Sequence, residues 1–485
     1  LCNIQQSPCQ TVGFSRQVPS LTALHFKADT MSNLGPIISL FFIGVTAVLL
    51  LRKFYPHAVL LVSGMCMLAI AFVLHLEMPV LLKPTGFSGF DLFRYVKESF
   101  ATTNAGVGLM IMAIGGFVAY TEHIGASNAL VYVALKPLKL FKQRPYIAAS
   151  LVIPIGQILF VAIPSAAGLG LLLMASLFPI LTNLGVSRLS AASVITGCTA
   201  FGIGPASAIT ASAVSILGMD AASYFINHQA LLVLPLSISM MVTFYFVNTY
   251  YDKRDRELQK DEMYVEKEMV VKAPLVYAII PVLPIVLLLC FSELFYLFES
   301  PIILDTTTAM LISLFIALIF EWIRIKSITN VFESLKVFWN GMGNIFKTVV
   351  TLIIAADIFA KGLISLGFID GLLILVQTMG FSAVGIIIVM SIMIFSASML
   401  MGSGNAAFFA FGPLVPKIAF KLGIDPIRMI LPMQLSASMG RTVSPVAGVI
   451  IAVSEIAGVS ALAIVKRNLI PLTVSLLLML TLLFI

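Results

Sequence analysis

The chain has 485 residues, 60% of them hydrophobic and only 11% charged, with a mean hydropathy of +1.06. A soluble globule carries roughly 25% charged residues, so this composition excludes one. The formal charge of +7 does not point to nucleic acid either, because Lys and Arg are spread over loops, their usual topogenic place, with no aromatic-basic pattern beside them.

Residues 1–30 are polar, contain no methionine and lack the basic and apolar regions of a signal peptide. They read as a non-native or disordered leader, with Met31 as the start. From Ser32 to Ile485 apolar stretches of about 18 or more residues recur, each long enough to cross roughly 30 Å of hydrocarbon as a helix. The fold class predicted is an all-α polytopic membrane protein, and the lipid bilayer is its first partner. First-half spans are expected at 35–52, 57–80, 105–122 and 228–248.

Two stretches between these spans resist a simple reading. From Pro145 to Leu181 the apolar sequence is broken at Pro164 and Ser165, which fits either two spans or one re-entrant hairpin. The segment 189–216 is interrupted by Gly202, Gly204 and Pro205, as a discontinuous helix would be. Residues 251–272 hold six Lys or Arg and seven Asp or Glu and read as a charged cytoplasmic linker without chemistry of its own. The second half continues with spans at 274–294, 307–322, 343–366, 383–400, 428–457 and 468–485, and a break at 401–420.

The halves look like one unit used twice. Gly106 and Gly341 are 235 apart, Pro179 and Pro416 237, Gly185 and Gly423 238, Pro205 and Pro445 240, Pro235 and Pro471 236. The expected organisation is an N-terminal repeat at 31–250 and a C-terminal repeat at 273–485. Basic clusters mark inside ends at Arg52 and Lys53, at Lys136, Lys139, Lys142 and Arg144, at Arg324 and Lys326, and at Lys466 and Arg467. They make 57–80 run outward and its partner 307–322 run inward, so the repeats are predicted to be inverted.

An unpaired backbone group in lipid costs several kcal/mol, so chain breaks at membrane depth survive only where protein or a wet cavity covers them. Glycine and serine let the chain turn there and leave free amides at half-helix N-termini, where the helix dipole favours an anion such as carboxylate. Candidate substrate-binding residues are therefore Ser165, Ala166 and Gly168 at one tip and Ser403, Gly404 and Asn405 at the other. The paired breaks add Gly202, Gly204, Pro205, Ser207 and Thr210, and Arg441, Thr442, Ser444 and Pro445.

Taken singly, such small residues are ordinary packing positions. Their repetition at four related breaks turns the reading to a transport site. Arg441, a lone cation in an apolar segment, is read either as a carbonyl-capping or snorkelling arginine or as a guanidinium for one substrate carboxylate. Asp357 and Lys361 read as an i, i+4 pair with a coupling role as the alternative; Glu455 is a second coupling candidate, and Glu122 and His123 read as interfacial.

At these residues the sequence resembles the DcuC/DcuD family of bacterial four-carbon dicarboxylate transporters, from Met31 to Ile485. The motifs are GGFVAYTEHIGAS (115–127), the SAAGLGLLLMASLFP stretch from Ser165, GVSRLSA (185–191), FAKGLISLGF (359–368), MGSGNAAFFAF (401–411) and VSPVAGVI from Val443. The resemblance implies secondary transport of succinate, fumarate, malate or aspartate across the bacterial inner membrane, by efflux or exchange under anaerobic conditions. It implies an inverted-repeat fold whose two hairpin tips and two broken helices hold a small dicarboxylate. No cofactor is expected, coupling by sodium or protons is, and a homodimer is expected by analogy with similar carboxylate transporters. The first break, GIGPASAIT (202–210), departs from the pattern in carrying no acidic residue.

Two other classes fit less well. An intramembrane serine protease built on Gly402-Ser403-Gly404 needs a histidine base, and His25, His57, His75, His123 and His228 all lie away from that segment in sequence. A passive channel would carry polar stripes along several helices, whereas here polar residues gather at breaks. The cysteines Cys2, Cys9, Cys66, Cys198 and Cys290 show no metal-ligand spacing, and no Walker loop is present. An enzyme is not expected.

Overall fold

The computed structural model describes residues 21–52, 54–136, 144–255, 273–292, 302, 304–378 and 383–483, and among them the only regular structure is helical. Eight helices among the described residues are long and apolar enough to cross a membrane, as a multi-pass membrane protein requires. The expected leader falls partly outside the described residues, and 21–30 form the first turns of α1 (Leu21–Leu51). Of the expected linker, 256–272 lie outside them too, while 251–255 complete α12 (Leu231–Asp255).

The first half begins with α2 (Pro56–Val73), started by a proline whose missing N–H costs nothing at that position. α3 (Ser88–Thr103) passes through a π-type turn at Asn104–Gly108 into α4 (Leu109–His123), and α5 (Ala126–Leu135) leaves at a corner where Gly125 takes φ +78°. α6 (Pro145–Ala162) and α7 (Ala166–Ser176) form a hairpin, followed by α8 (Phe178–Asn183). With 11 residues α7 rises about 16 Å before the helix is interrupted at Leu177, ahead of Pro179. α9 (Arg188–Gly197) and α10 (Ala208–Leu217) flank an irregular stretch, and α11 (Ala221–Tyr224) leads through Phe225–Ala230 into α12.

The second half runs through α13 (Leu283–Cys290) and α14 (Thr306–Ile325), then repeats the sequence of elements. α15 (Ile328–Ile345) passes through a π-type turn at Phe346–Val350 into α16 (Thr351–Ser365), followed by α17 (Phe368–Thr378). α18 (Ala383–Met401) and α19 (Gly404–Phe411) form the second hairpin, followed by α20 (Val415–Leu422). α21 (Ile427–Thr442) and α22 (Gly448–Ala457) are the second broken pair, and α23 (Ala461–Leu482) closes the chain. The hairpin caps Ser165 and Ser403 are 238 apart, and the π-type turns starting at Asn104 and Phe346 are 242 apart. Gly106 and Gly341, paired by sequence, are therefore not equivalent: Gly106 lies in the first kink and Gly341 in α15, against Ala119.

Several spans differ from the sequence reading: the one expected at 57–80 ends with α2 at Val73, where the chain turns irregular, and the one expected at 274–294 is a 3-10 segment (Leu275–Val282) leading into the short α13, with Pro281 and Pro284 at the junction. The spans expected at 105–122 and 343–366 are the second parts of continuous helical segments, Ser88–His123 and Ile328–Ser365. Their first parts, α3 and α15, are amphipathic, so their polar faces hide them from a hydropathy criterion. The segment 428–457 is two half-helices.

Close helix contacts rest on small residues, as expected where lipid gives no hydrophobic drive for helix association. A Cβ on Gly64 would stand 2.6 Å from the amide nitrogen of Phe359, so α2 and α16 meet backbone to backbone. Gly64→Leu is expected to force these helices apart at a cost of about 1–3 kcal/mol. A clearly lower thermal midpoint of the detergent-solubilised protein checks this; an unchanged midpoint counts against the contact.

Candidate functional site

The site starts from two hairpin tips. Pro164 cannot continue α6 because it lacks the N–H for the next helical bond, and the chain turns into α7 with Ser165 as its cap. The Ser165 hydroxyl accepts the amide N–H of Gly168 at 3.1 Å. At the second tip Gly402 takes φ +71°, which only glycine adopts without strain, and the Ser403 hydroxyl accepts the amide of Ala406 at 3.2 Å. Ser165, Ala166, Gly168, Ser403 and Asn405 are half-buried, whereas Gly404 is buried. The Asn405 side chain makes no hydrogen bond among the described residues.

The broken helices need more support, because their irregular backbone is buried. In the first, Gln434 donates to the Gly202 carbonyl at 2.9 Å and to the Thr210 hydroxyl at 3.0 Å, and accepts the Tyr224 hydroxyl at 3.0 Å. Gln229 accepts the Gly204 amide at 2.9 Å and donates to Thr210 at 3.0 Å. Gln229, Gln434, Thr210 and Tyr224 are all fully buried. In the second break, Asn468 donates to the Thr442 carbonyl at 3.1 Å and to the Thr196 hydroxyl at 2.8 Å, while the Ser444 hydroxyl accepts the Val446 amide. The half-helices that follow, α10 and α22, begin on Ser207 and Ala447 with no side-chain cap, so their first-turn amides are free of that competition.

Contacts join the second tip to the second broken helix, the two broken helices to each other, and the first break to the arm of the first hairpin. A Cβ on Gly402 would lie 2.9 Å from the Val446 carbonyl oxygen, and one on Gly404 2.7 Å from that of Ala437, so the second tip sits directly on the second broken helix. Gly202 of the first break faces the Ser438 hydroxyl, and Gly204 faces Val161 of the first hairpin. Each hairpin also reaches the opposite half: α7 packs on α22, through Gly170 against Val449, and α19 touches α10 while resting chiefly on α16 and α21 of its own half.

Arg441 crosses from the last turn of α21 towards the first half. Its Nη2 donates to the Thr199 carbonyl at 2.6 Å, and its guanidinium carbon lies 5.7 Å from the Phe160 ring centroid. The carbonyl-capping contact expected of a structural arginine is thus present. Nε, however, is buried without a partner among the described residues, so the planar fork is not saturated. Arg441 therefore stands beside the arm of the first hairpin, not beside Ser403 and Asn405.

The coupling candidates lie elsewhere. Asp357 pairs with Lys361 and accepts the Ser99 hydroxyl, which ties α16 to α3. Glu455 is exposed in the last turn of α22, eight residues or about 12 Å beyond the break. The Ser403 hydroxyl is occupied as a cap, and no histidine bonds it among the described residues.

Sequence reasoning missed several residues. Gln229, Gln434 and Asn468 are polar residues in apolar helices, and that was the available signal. It also gave 251–272 no chemistry, yet Asp252 is buried, accepts Tyr146, and pairs with Arg467 of α23 at 2.8 Å. Glu122, read as interfacial, touches the first hairpin tip: its Oε1 would lie 2.6 Å from a Cβ on Gly168.

With this geometry in place, comparison with known proteins is decisive at one point. The model of the C4-dicarboxylate anaerobic carrier family, DcuC, matches residues 34–485. The chain belongs to that family. A relative in Escherichia coli strain K12, named anaerobic C4-dicarboxylate transporter DcuC, is 34% identical over 428 residues, covering 88% of this chain and 91% of that protein. The family is one of carriers, not enzymes. The fold is similar to that of the Alcanivorax borkumensis YdaH transporter, described as having an unusual topology, with a TM-score of 0.60 at 12% identity over 89% of this chain and 98% of that one. It is also similar to Neisseria gonorrhoeae MtrF, described within a class of antimetabolite efflux pumps, with a TM-score of 0.52 at 13% identity over 89% and 94%.

The glutamine network gives a direct test of how this carrier holds its first break. Gln434→Leu strands the Gly202 carbonyl and the Tyr224 hydroxyl, each at a cost of about 1–3 kcal/mol. A lower thermal midpoint is expected in detergent, and also for Gln434→Glu, whose carboxylate can accept from Tyr224 but has no N–H for the Gly202 carbonyl. Wild-type stability of Gln434→Leu would show that other groups hold the break.

Proposed function

We propose that this chain is a secondary active transporter of C4-dicarboxylates such as succinate, fumarate, malate or aspartate, working by efflux or exchange across the bacterial inner membrane. Its two repeats are inverted and carry the substrate by alternating access, with sodium or protons as the coupling ion. Family membership and the names of the relatives support the substrate class. The arrangement at the breaks supports the mode of binding.

The observation that carries the reading is the anion-seeking chemistry gathered at the four stretches. α7, α10, α19 and α22 all begin there, presenting the positive ends of their dipoles, and Arg441 adds an unsaturated guanidinium. A short dianion needs a cationic environment at each end. Arg441 with the first-half stretches takes one carboxylate, and the second tip with Asn405 takes the other. Because each hairpin touches the broken helix of the opposite half, a tilt of one half relative to the other would open the site on one side and close it on the other.

The test is counterflow of labelled succinate in proteoliposomes, with fumarate, malate, aspartate, citrate and neutral amino acids as competitors. Four-carbon dicarboxylates are expected to compete and citrate and neutral amino acids not to. Exchange of citrate or amino acids in place of succinate would move the assignment to another organic anion. In the same assay Arg441→Gln is expected to weaken succinate binding about 10–100-fold, the equivalent of a charged hydrogen bond of roughly 1.5–3 kcal/mol. Arg441→Lys should lose less, since it keeps the charge and loses the fork. Wild-type affinity in both variants would make Arg441 a structural capping residue.

A further inference from the structure

Glu122 is the acidic group in contact with a hairpin tip, and neither half-site reading accounts for it. It lies in the last turn of α4, just before the corner at Gly125, with its carboxylate against the first turn of α7. A Cβ on Gly168 would be 2.6 Å from Glu122 Oε1 and 2.9 Å from Ser165 Oγ, so the carboxylate end lies directly against the tip. The Glu122 side chain is exposed and has no ion pair or hydrogen bond among the described residues.

On the segments that pack against α4, several titratable and charged groups pair with one another. Tyr120 bonds Ser334 on α15, Tyr277 bonds Glu321 on α14, Arg324 pairs with Glu321, and Lys336 pairs with Glu333. His123 follows Glu122 on the same helix and is exposed, and α7 contributes no titratable side chain. Glu122 is thus a carboxylate without a counter-ion at the N-terminus of a half-helix.

The other half carries no equivalent. The offset of 242 that relates the π-type turns starting at Asn104 and Phe346 places Ile364 where Glu122 stands, and the offset of 238 places Ala406 where Gly168 stands. A pseudo-symmetric pair of tips therefore has one acidic side and one apolar side. A permanent negative charge at a tip would oppose the approach of a dicarboxylate, and it would occupy the dipole that favours one.

We propose that Glu122 is the proton-carrying group of the transport cycle. A proton from bulk water binds the Glu122 carboxylate, the neutral acid no longer repels the dianion at the first tip, and proton and dianion cross together. After the site opens on the other side, the dianion leaves and the proton returns to water from the same oxygen. The inference rests on the proposed dicarboxylate transport and adds to it the residue that links substrate to proton.

The experiment compares two readouts in proteoliposomes, succinate counterflow and succinate accumulation driven by an imposed pH gradient, for wild type, Glu122→Gln and Glu122→Asp. Wild type and Glu122→Asp are expected to do both. Glu122→Gln is expected to retain counterflow, which needs no net proton movement, and to lose at least 10-fold in gradient-driven accumulation. Accumulation by Glu122→Gln at the wild-type level overturns the proposal, as does loss of counterflow together with accumulation, which would make Glu122 structural. Wild-type counterflow without any response to the pH gradient overturns it while leaving dicarboxylate transport intact. Failure of wild type to exchange any dicarboxylate overturns both readings.

Discussion

A helix that stops and restarts inside an apolar bundle has carbonyl and amide groups that water cannot reach, and this constraint governs the whole structure. At the first break two glutamines take the place of water. Gln434 reaches the Gly202 carbonyl and Gln229 the Gly204 amide, and Thr210 links the two side chains. Because Gln434 comes from α21, the first half's break is held in place by the second half's broken helix. Arg441 on the Thr199 carbonyl makes a second connection of the same kind. Each unsatisfied group would cost about 1–3 kcal/mol, so the two breaks are interdependent in energy as well as in place.

The same interdependence joins fold to function. α7 lies on α22, and α19 touches α10, so each hairpin has a contact with the opposite half. The first turns of α10 and α22 start without a side-chain cap, and Arg441 adds a guanidinium beside the first break. Small residues at the contacts keep the backbones close.

Much of this was legible in the sequence. Paired prolines and glycines at near-constant separation located both breaks, and serines after Pro164 and Gly402 located both tips, because those residue types are what a turn in lipid demands. Arg441 stood out because a lone cation in an apolar run needs a partner, but its direction did not follow from position: α21 turns it towards Thr199 and Phe160. Gln229 and Gln434 escaped because a glutamine in an apolar helix has no motif, and its role depends on which backbone atoms lie opposite. Glu122 drew no site reading because the end of a helix looks like the membrane surface in sequence, and its contact with a hairpin tip depends on the corner at Gly125. Asp252 looked like one charge among thirteen until α12 extended far enough to bury it against Arg467.

The central claim is that the paired tips and breaks form one dicarboxylate site. Its most direct test is a cryo-electron microscopy structure of the wild-type protein in lipid nanodiscs with saturating succinate. The account predicts ligand density between the Ser165 and Ser403 tips, with one carboxylate within hydrogen-bond distance of Arg441. Density found instead in the cavity of about 700 Å³ lined by Lys361, Lys417 and Lys421, with the tips unoccupied, would contradict it.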